Sequence, residues 1–146
     1  MRLDPLDLRA CNELGVILFS QGRRREAVDV FRSGLAQGED ETRLGVRGQR
    51  ARLMNNLGNA LLESSAPKEA LKAYAGSVRY DPAGPRGHYN SGVAWMRLGR
   101  PEKAVHCFED ALRLSPNFQE ARVNLQFARA ALSRTRSPFA GSRARR

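Results

Sequence analysis

The sequence predicts an all-α solenoid of antiparallel helix pairs, on three observations. Residues recur at a fixed 34-residue offset, apolar positions follow helical rather than alternating spacing, and Gly or Pro punctuates the segments at matching places. Met54-Asn55-Asn56-Leu57-Gly58-Asn59 aligns with His88-Tyr89-Asn90-Ser91-Gly92-Val93, with the two glycines 34 residues apart. The same offset joins Leu61 to Trp95, Ala70 to Ala104, Leu71 to Val105, Tyr74 to Phe108 and Arg79 to Arg113, and sets Asp81-Pro82 against Ser115-Pro116. An earlier copy keeps the internal spacing through Leu14-Gly15, Leu18, Ala27 and Phe31. Gly15 and Gly58 are 43 residues apart, so nine extra residues separate it from the second copy.

Taken in order, the first unit covers about residues 8–38, the second 51–84 and the third 85–117, with an insertion at 39–50. In the second unit, apolar residues at 53, 54, 57, 61 and 62 mark one helix and those at 70, 71, 74 and 78 another. Ser65-Ala66-Pro67 and Leu98-Gly99-Arg100-Pro101 break the pairs, with Pro suited to a first helical turn. Asp81-Pro82 and Ser115-Pro116 end the second helices, because Pro restrains the residue before it from helix. A helix of this length cannot bury its stripe alone, so stacking of about three units is needed. The insertion, with Gly38, Gly45 and Gly48 and a switch from acidic to basic, either extends the next helix with Asp40 as cap or stays a loop. A last helix is expected over 118–132, closing a domain of residues 1–132, and the aperiodic segment 133–146 reads as a disordered basic tail.

Composition narrows the possible functions. The chain has 146 residues and a formal charge of +10, of which the tail's Arg134, Arg136, Arg143, Arg145 and Arg146 supply half without any acid. No apolar run is long enough to span a membrane, and the start lacks a secretory signal. Two cysteines, Cys11 and Cys107, cannot staple a fold, which points to a reducing intracellular compartment, the cytoplasm by default. Both read as packing residues rather than reactive thiols. There is no phosphate loop, no paired Cys motif and no zinc-spaced His88 or His106, so no catalytic residue, metal or cofactor is expected.

The repeat resembles the tetratricopeptide repeat family. Counting each unit from Leu8, Ala51 and Pro85, position 8 is Gly15, Gly58 and Gly92, and position 20 is Ala27, Ala70 and Ala104. Position 24 is Phe31, Tyr74 and Phe108, and position 32 is Pro82 and Pro116, with Glu39 instead in the first unit. Cys11 and His88 at position 4 and Ser91 at position 7 depart from the family's larger apolar residues. The resemblance covers residues 8–116 and implies a right-handed superhelical solenoid, a solvating terminal helix, and a concave groove lined by the first helix of each pair.

On that resemblance, Asn56, Asn90 and Asn124 at position 6 form a column facing the groove. An Asn amide both donates and accepts, so the column suits the backbone of an extended peptide; alternatively it bonds its own superhelix or water. Glu13 breaks the column in the first unit. Arg9, Arg52 and Arg86 at position 2 stand at the same edge and suit carboxylates, unless they are a solvated flank. Asn55, Asn59, Tyr89, Val93 and Phe127 complete the expected surface. The family's carboxylate clamp is incomplete in both registers: Val16 falls where one needs Asn, and Glu120 where the other needs a cation.

Three functions are weighed. The first is a non-enzymatic adaptor holding an extended, possibly acidic peptide of another protein in its groove. The second is an RNA- or ribonucleoprotein-associated subunit anchored by Arg134, Arg136, Arg143, Arg145 and Arg146, with salt-dependent affinity for nucleic acid. The third is a structural subunit using its convex or end surfaces. Arg23-Arg24-Arg25 reads as a solvated turn, and Ser137-Pro138 either as a proline-directed phosphorylation site or as plain linker. Oligomeric state is left open.

Overall fold

The computed structural model describes residues 7–37 and 45–136. Seven helices follow one another among them: α1 (Leu8–Ser20), α2 (Arg24–Ala36), α3 (Val46–Glu63), α4 (Pro67–Tyr80), α5 (Pro85–Arg97), α6 (Pro101–Leu114) and α7 (Gln119–Arg136). Each helix packs on the next in sequence, and α1, α3, α5 and α7 also pack in a row. This is a superhelical stack of three antiparallel pairs closed by α7, and the row of first helices forms its inner wall.

Residue choice explains the elements. The Asp7 carboxylate caps α1 by accepting the Ala10 N–H at 2.6 Å. Pro67, Pro85 and Pro101 open α4, α5 and α6, where a missing N–H costs nothing. The turn inside each pair uses one left-handed residue at position 15: Gly22 (φ 77°), Ser65 (φ 60°) and Gly99 (φ 68°). Within each pair an aromatic ring lies flat against a glycine of the facing helix. A Cβ on Gly15, Gly58 or Gly92 would overlap Phe31, Tyr74 or Phe108 respectively. Ala27, Ala70 and Ala104 are fully buried beside them. The core is therefore made by backbone closeness at three repeated points, with aromatic rings supplying the volume.

One boundary falls within an alternative the sequence left open, and a second differs from the sequence expectation. Helix α3 begins at Val46, inside the expected insertion, with Gly45 left-handed before it. Its early start is carried by packing: Val46 is buried, and buried Arg50 donates to the Leu35 and Gln37 carbonyls at 3.4 and 2.7 Å, closing the end of α2. Asp40, weighed as a cap, lies outside the described residues. Helix α7 runs on through 133–136, which the sequence reading gave to the tail. Nothing between Ala128 and Arg136 breaks a helix, and the Ser133 and Thr135 hydroxyls return to carbonyls three residues back.

Candidate functional site: the inner wall

The first helices bring most of the sequence-predicted groove residues to one surface. The asparagine column is real in space, and its amides turn out to be partly spent on the protein itself. Asn56 Nδ2 donates to Asn12 Oδ1 at 2.8 Å, Asn90 Nδ2 to Asn55 Oδ1 at 2.9 Å, and Asn124 Nδ2 to the Tyr89 hydroxyl at 2.9 Å. In repeat numbering, position 6 of each unit bonds position 5 of the unit before, three times in succession. Asn59 is engaged too, its Oδ1 accepting the Tyr74 hydroxyl at 2.9 Å. Of the two readings of the column, bonding within the superhelix is present, and it leaves each amide one N–H and an acceptor.

The cations divide differently. Arg9 is held by Glu13 at 3.0 Å on an exposed turn. Arg52 and Arg86 are exposed and form no ion pair among the described residues. They flank a cleft of about 240 Å³ that also includes Asn55 and Asp81, so two guanidiniums face one carboxylate. A second cleft of about 320 Å³ lies between Arg9 and Arg52, with Asn12, Glu13 and Gln49. Consecutive position-2 arginines thus bracket successive hollows along one edge.

Toward the other end of the same helices lies a larger hollow of about 520 Å³. Its apolar lining is Phe19 from α1, Leu62 from α3, and Tyr89 and Val93 from α5. Arg24, Asn59, Glu63, Asn90 and Arg97 supply its polar atoms. Arg97 bonds Glu63 at 2.6 Å and the Leu62 carbonyl at 3.0 Å, tying the third unit to the second. Tyr89 is fixed by Phe118 and Phe108, with ring centroids 4.8 and 5.8 Å away. Burial, with Glu120 adding to it, raises its phenol above the ordinary range and keeps it a neutral hydrogen-bonding group. Sequence reasoning missed Phe19, Arg24, Leu62 and Arg97. Leu62 was read only as helix stripe and Phe19 was not singled out, although both sit at position 12 of their units.

Phe127 is 65% exposed on α7, outside these three hollows. Of the tail arginines, Arg134 and Arg136 belong to α7, Arg134 exposed, and Arg143, Arg145 and Arg146 lie outside the described residues. Cys11 is buried, and Cys107 is half-buried with its thiol raised to about 11 by burial and by Asp110. Among the described residues no group of side chains could hold a metal ion, and no helix is long and apolar enough to cross a membrane.

Family models of the tetratricopeptide repeat match residues 8–36 and 85–118. The chain is 33% identical over 63 residues to a tetratricopeptide repeat and J domain-containing co-chaperone of Cryptococcus neoformans, covering 43% of this chain and 12% of that one. It spans 11% to 16% of the length of the curated relatives it matches. Among solved structures, the first tetratricopeptide domain of human RPAP3 superimposes with a TM-score of 0.78 at 22% identity, over 92% of this chain and 99% of that one. The first such domain of Spaghetti (RPAP3), bound to the HSP90 peptide SRMEEVD, gives 0.75 at 22% identity, over 91% and 98%.

Proposed function

Because this chain belongs to the tetratricopeptide repeat family, we propose that it is a protein–protein interaction module whose inner wall holds an extended acidic segment of a partner. The observation that carries this reading is the pair Arg52 and Arg86, unpaired among the described residues and set on either side of one cleft. A guanidinium fork is matched to a carboxylate, and two of them one repeat apart favour a segment with more than one acid. The similar domain with an acidic HSP90 peptide bound supports the same class of guest. The recognition differs from a carboxylate clamp, since neither register of that motif is complete here. Internal acids along the segment, rather than its chain terminus, are then the groups read.

The asparagines have a supporting part in this reading. Their staples hold the inner wall in register, and the remaining N–H and acceptor of each amide are available to peptide backbone. The test is fluorescence anisotropy with a labelled Glu-rich peptide and a Gln-matched control at low salt. Arg52→Glu/Arg86→Glu should weaken the Glu-rich peptide about tenfold or more and leave the control unchanged. Equal binding by the wild type and the double variant would remove the cleft as the site.

A further inference from the structure

Resting on that reading of the inner wall, we propose that the partner segment carries one large aliphatic or aromatic residue among its acids, seated in the hollow between Phe19, Leu62, Tyr89 and Val93. Three units contribute to this hollow, so only the assembled array forms it. It is an open depression of about 520 Å³, ample for one large side chain. The decisive feature is the state of its polar atoms. Asn59 already accepts from Tyr74, Asn90 already donates to Asn55, and Glu63 is neutralised by Arg97. A guest side chain that rests on Phe19, Leu62, Tyr89 and Val93 leaves those three bonds intact.

The charge at the mouth fixes what surrounds the anchor. Arg24 lines the hollow, is exposed, and forms no ion pair among the described residues. With Arg97 matched by Glu63, the mouth keeps net positive charge, which favours a carboxylate beside the anchor. The Arg52–Arg86 cleft lies on the same helices toward their N-terminal ends, so acid and anchor positions are read together by α3 and α5. Phe127, 65% exposed on α7, does not line this hollow.

The experiment uses capped peptides of Glu and Ser in which a single Leu is walked through every position, each paired with its Ala counterpart, titrated by anisotropy. In at least one register Leu should bind about tenfold tighter than Ala, the scale of burying the extra carbons. Val93→Ser should erase that Leu preference while leaving the weaker, salt-dependent binding of the Ala peptides. Phe19→Ser provides the same test from a different helix, and circular dichroism identifies a variant that has lost its fold. Binding by the acidic peptides with no Leu preference in any register overturns the anchor and leaves the acidic reading standing. No binding by any acidic peptide overturns both.

Discussion

Asn90 of the third unit donates its side-chain N–H to Asn55 Oδ1 of the second across 2.9 Å, and both residues are half-buried on the inner wall. Removing one partner deprives the other of its bond, whereas removing both lets water or repacking compensate. Asn90→Ala alone should cost about 1 kcal/mol in urea unfolding. A cycle with Asn55→Ala should return a coupling of at least about 0.5 kcal/mol. Additive single effects would mean the amide pair contributes nothing to joining the units.

Helix α3 contains two glycines that should answer the same substitution with opposite sign. A methyl group on Gly58 would run into the Tyr74 ring, while one on Gly48 meets nothing within 4 Å. Gly48→Ala should stabilise by about 0.5–1 kcal/mol through helix propensity. Gly58→Ala gains the same propensity but forces the ring aside, and should be net destabilising by about 1–2 kcal/mol. Thermal melts of the two variants decide it, and a stabilised Gly58→Ala would contradict the ring-on-glycine packing.

These two glycines also show what the sequence could disclose. Gly58 was legible because close helix approach demands a small residue at a fixed distance from an aromatic, and the 34-residue period exposes that demand. Gly48 reads as a helix breaker, and the early start of α3 around it is carried by the burial of Val46 and by Arg50 closing α2, both tertiary effects. The asparagine column was legible as a column but not in its bonding. A guest peptide and the preceding unit compete for the same amide, and only coordinates show which N–H is taken. Arg52 and Arg86 could not be separated from Arg9 by repeat position. Glu13 sits four residues beyond Arg9, while Asn56 and Asn90 hold the corresponding places after the other two.

Ser65 takes the left-handed turn position that Gly22 and Gly99 fill in the other units. An L-residue there bears a conformational cost of roughly 1–2 kcal/mol that glycine escapes, partly offset by glycine's greater freedom when unfolded. Ser65→Gly should therefore raise the urea midpoint, with a gain of about 0.5–1 kcal/mol. An unchanged or lowered midpoint would mean that the turn holds serine without strain.

Alkali should weaken the fold before it weakens the exposed charges. Burial, with help from Asp110, raises the Cys107 thiol to about 11, and burial raises the Tyr74 phenol as well. In both, the folded state binds the proton more tightly than the unfolded chain, whose thiol titrates near ~8.5 and phenol near ~10. The stabilisation is complete below those values and is lost as pH rises through the window above them. Urea midpoints should hold from pH 7 to 8.5 and fall between about 8.5 and 11, with Cys107→Ser flattening the lower part of the decline. A midpoint independent of pH across that window would contradict the burial of both groups.

The first helix breaks the burial pattern of the row it belongs to. Position 10 is Ala60, Ala94 and Ala128 in later units, each 0% exposed, but Ile17 in α1 at 53%. Position 7 is Leu57 and Leu125 at 8% exposed, against Leu14 at 37%. Each later first helix presents these positions to the pair before it, and among the described residues α1 has no such pair. A charge should therefore be tolerated at one end of the row and not inside it. Ile17→Lys should change stability by no more than about 0.5 kcal/mol, as an exposed substitution does. Leu57→Lys, which drives an ammonium between α3 and its neighbours, should cost at least about 3 kcal/mol or abolish the fold. Chemical unfolding of both, at matched concentration, distinguishes a bare α1 face from one held against other protein. A large loss on Ile17→Lys would show that this face is covered in solution.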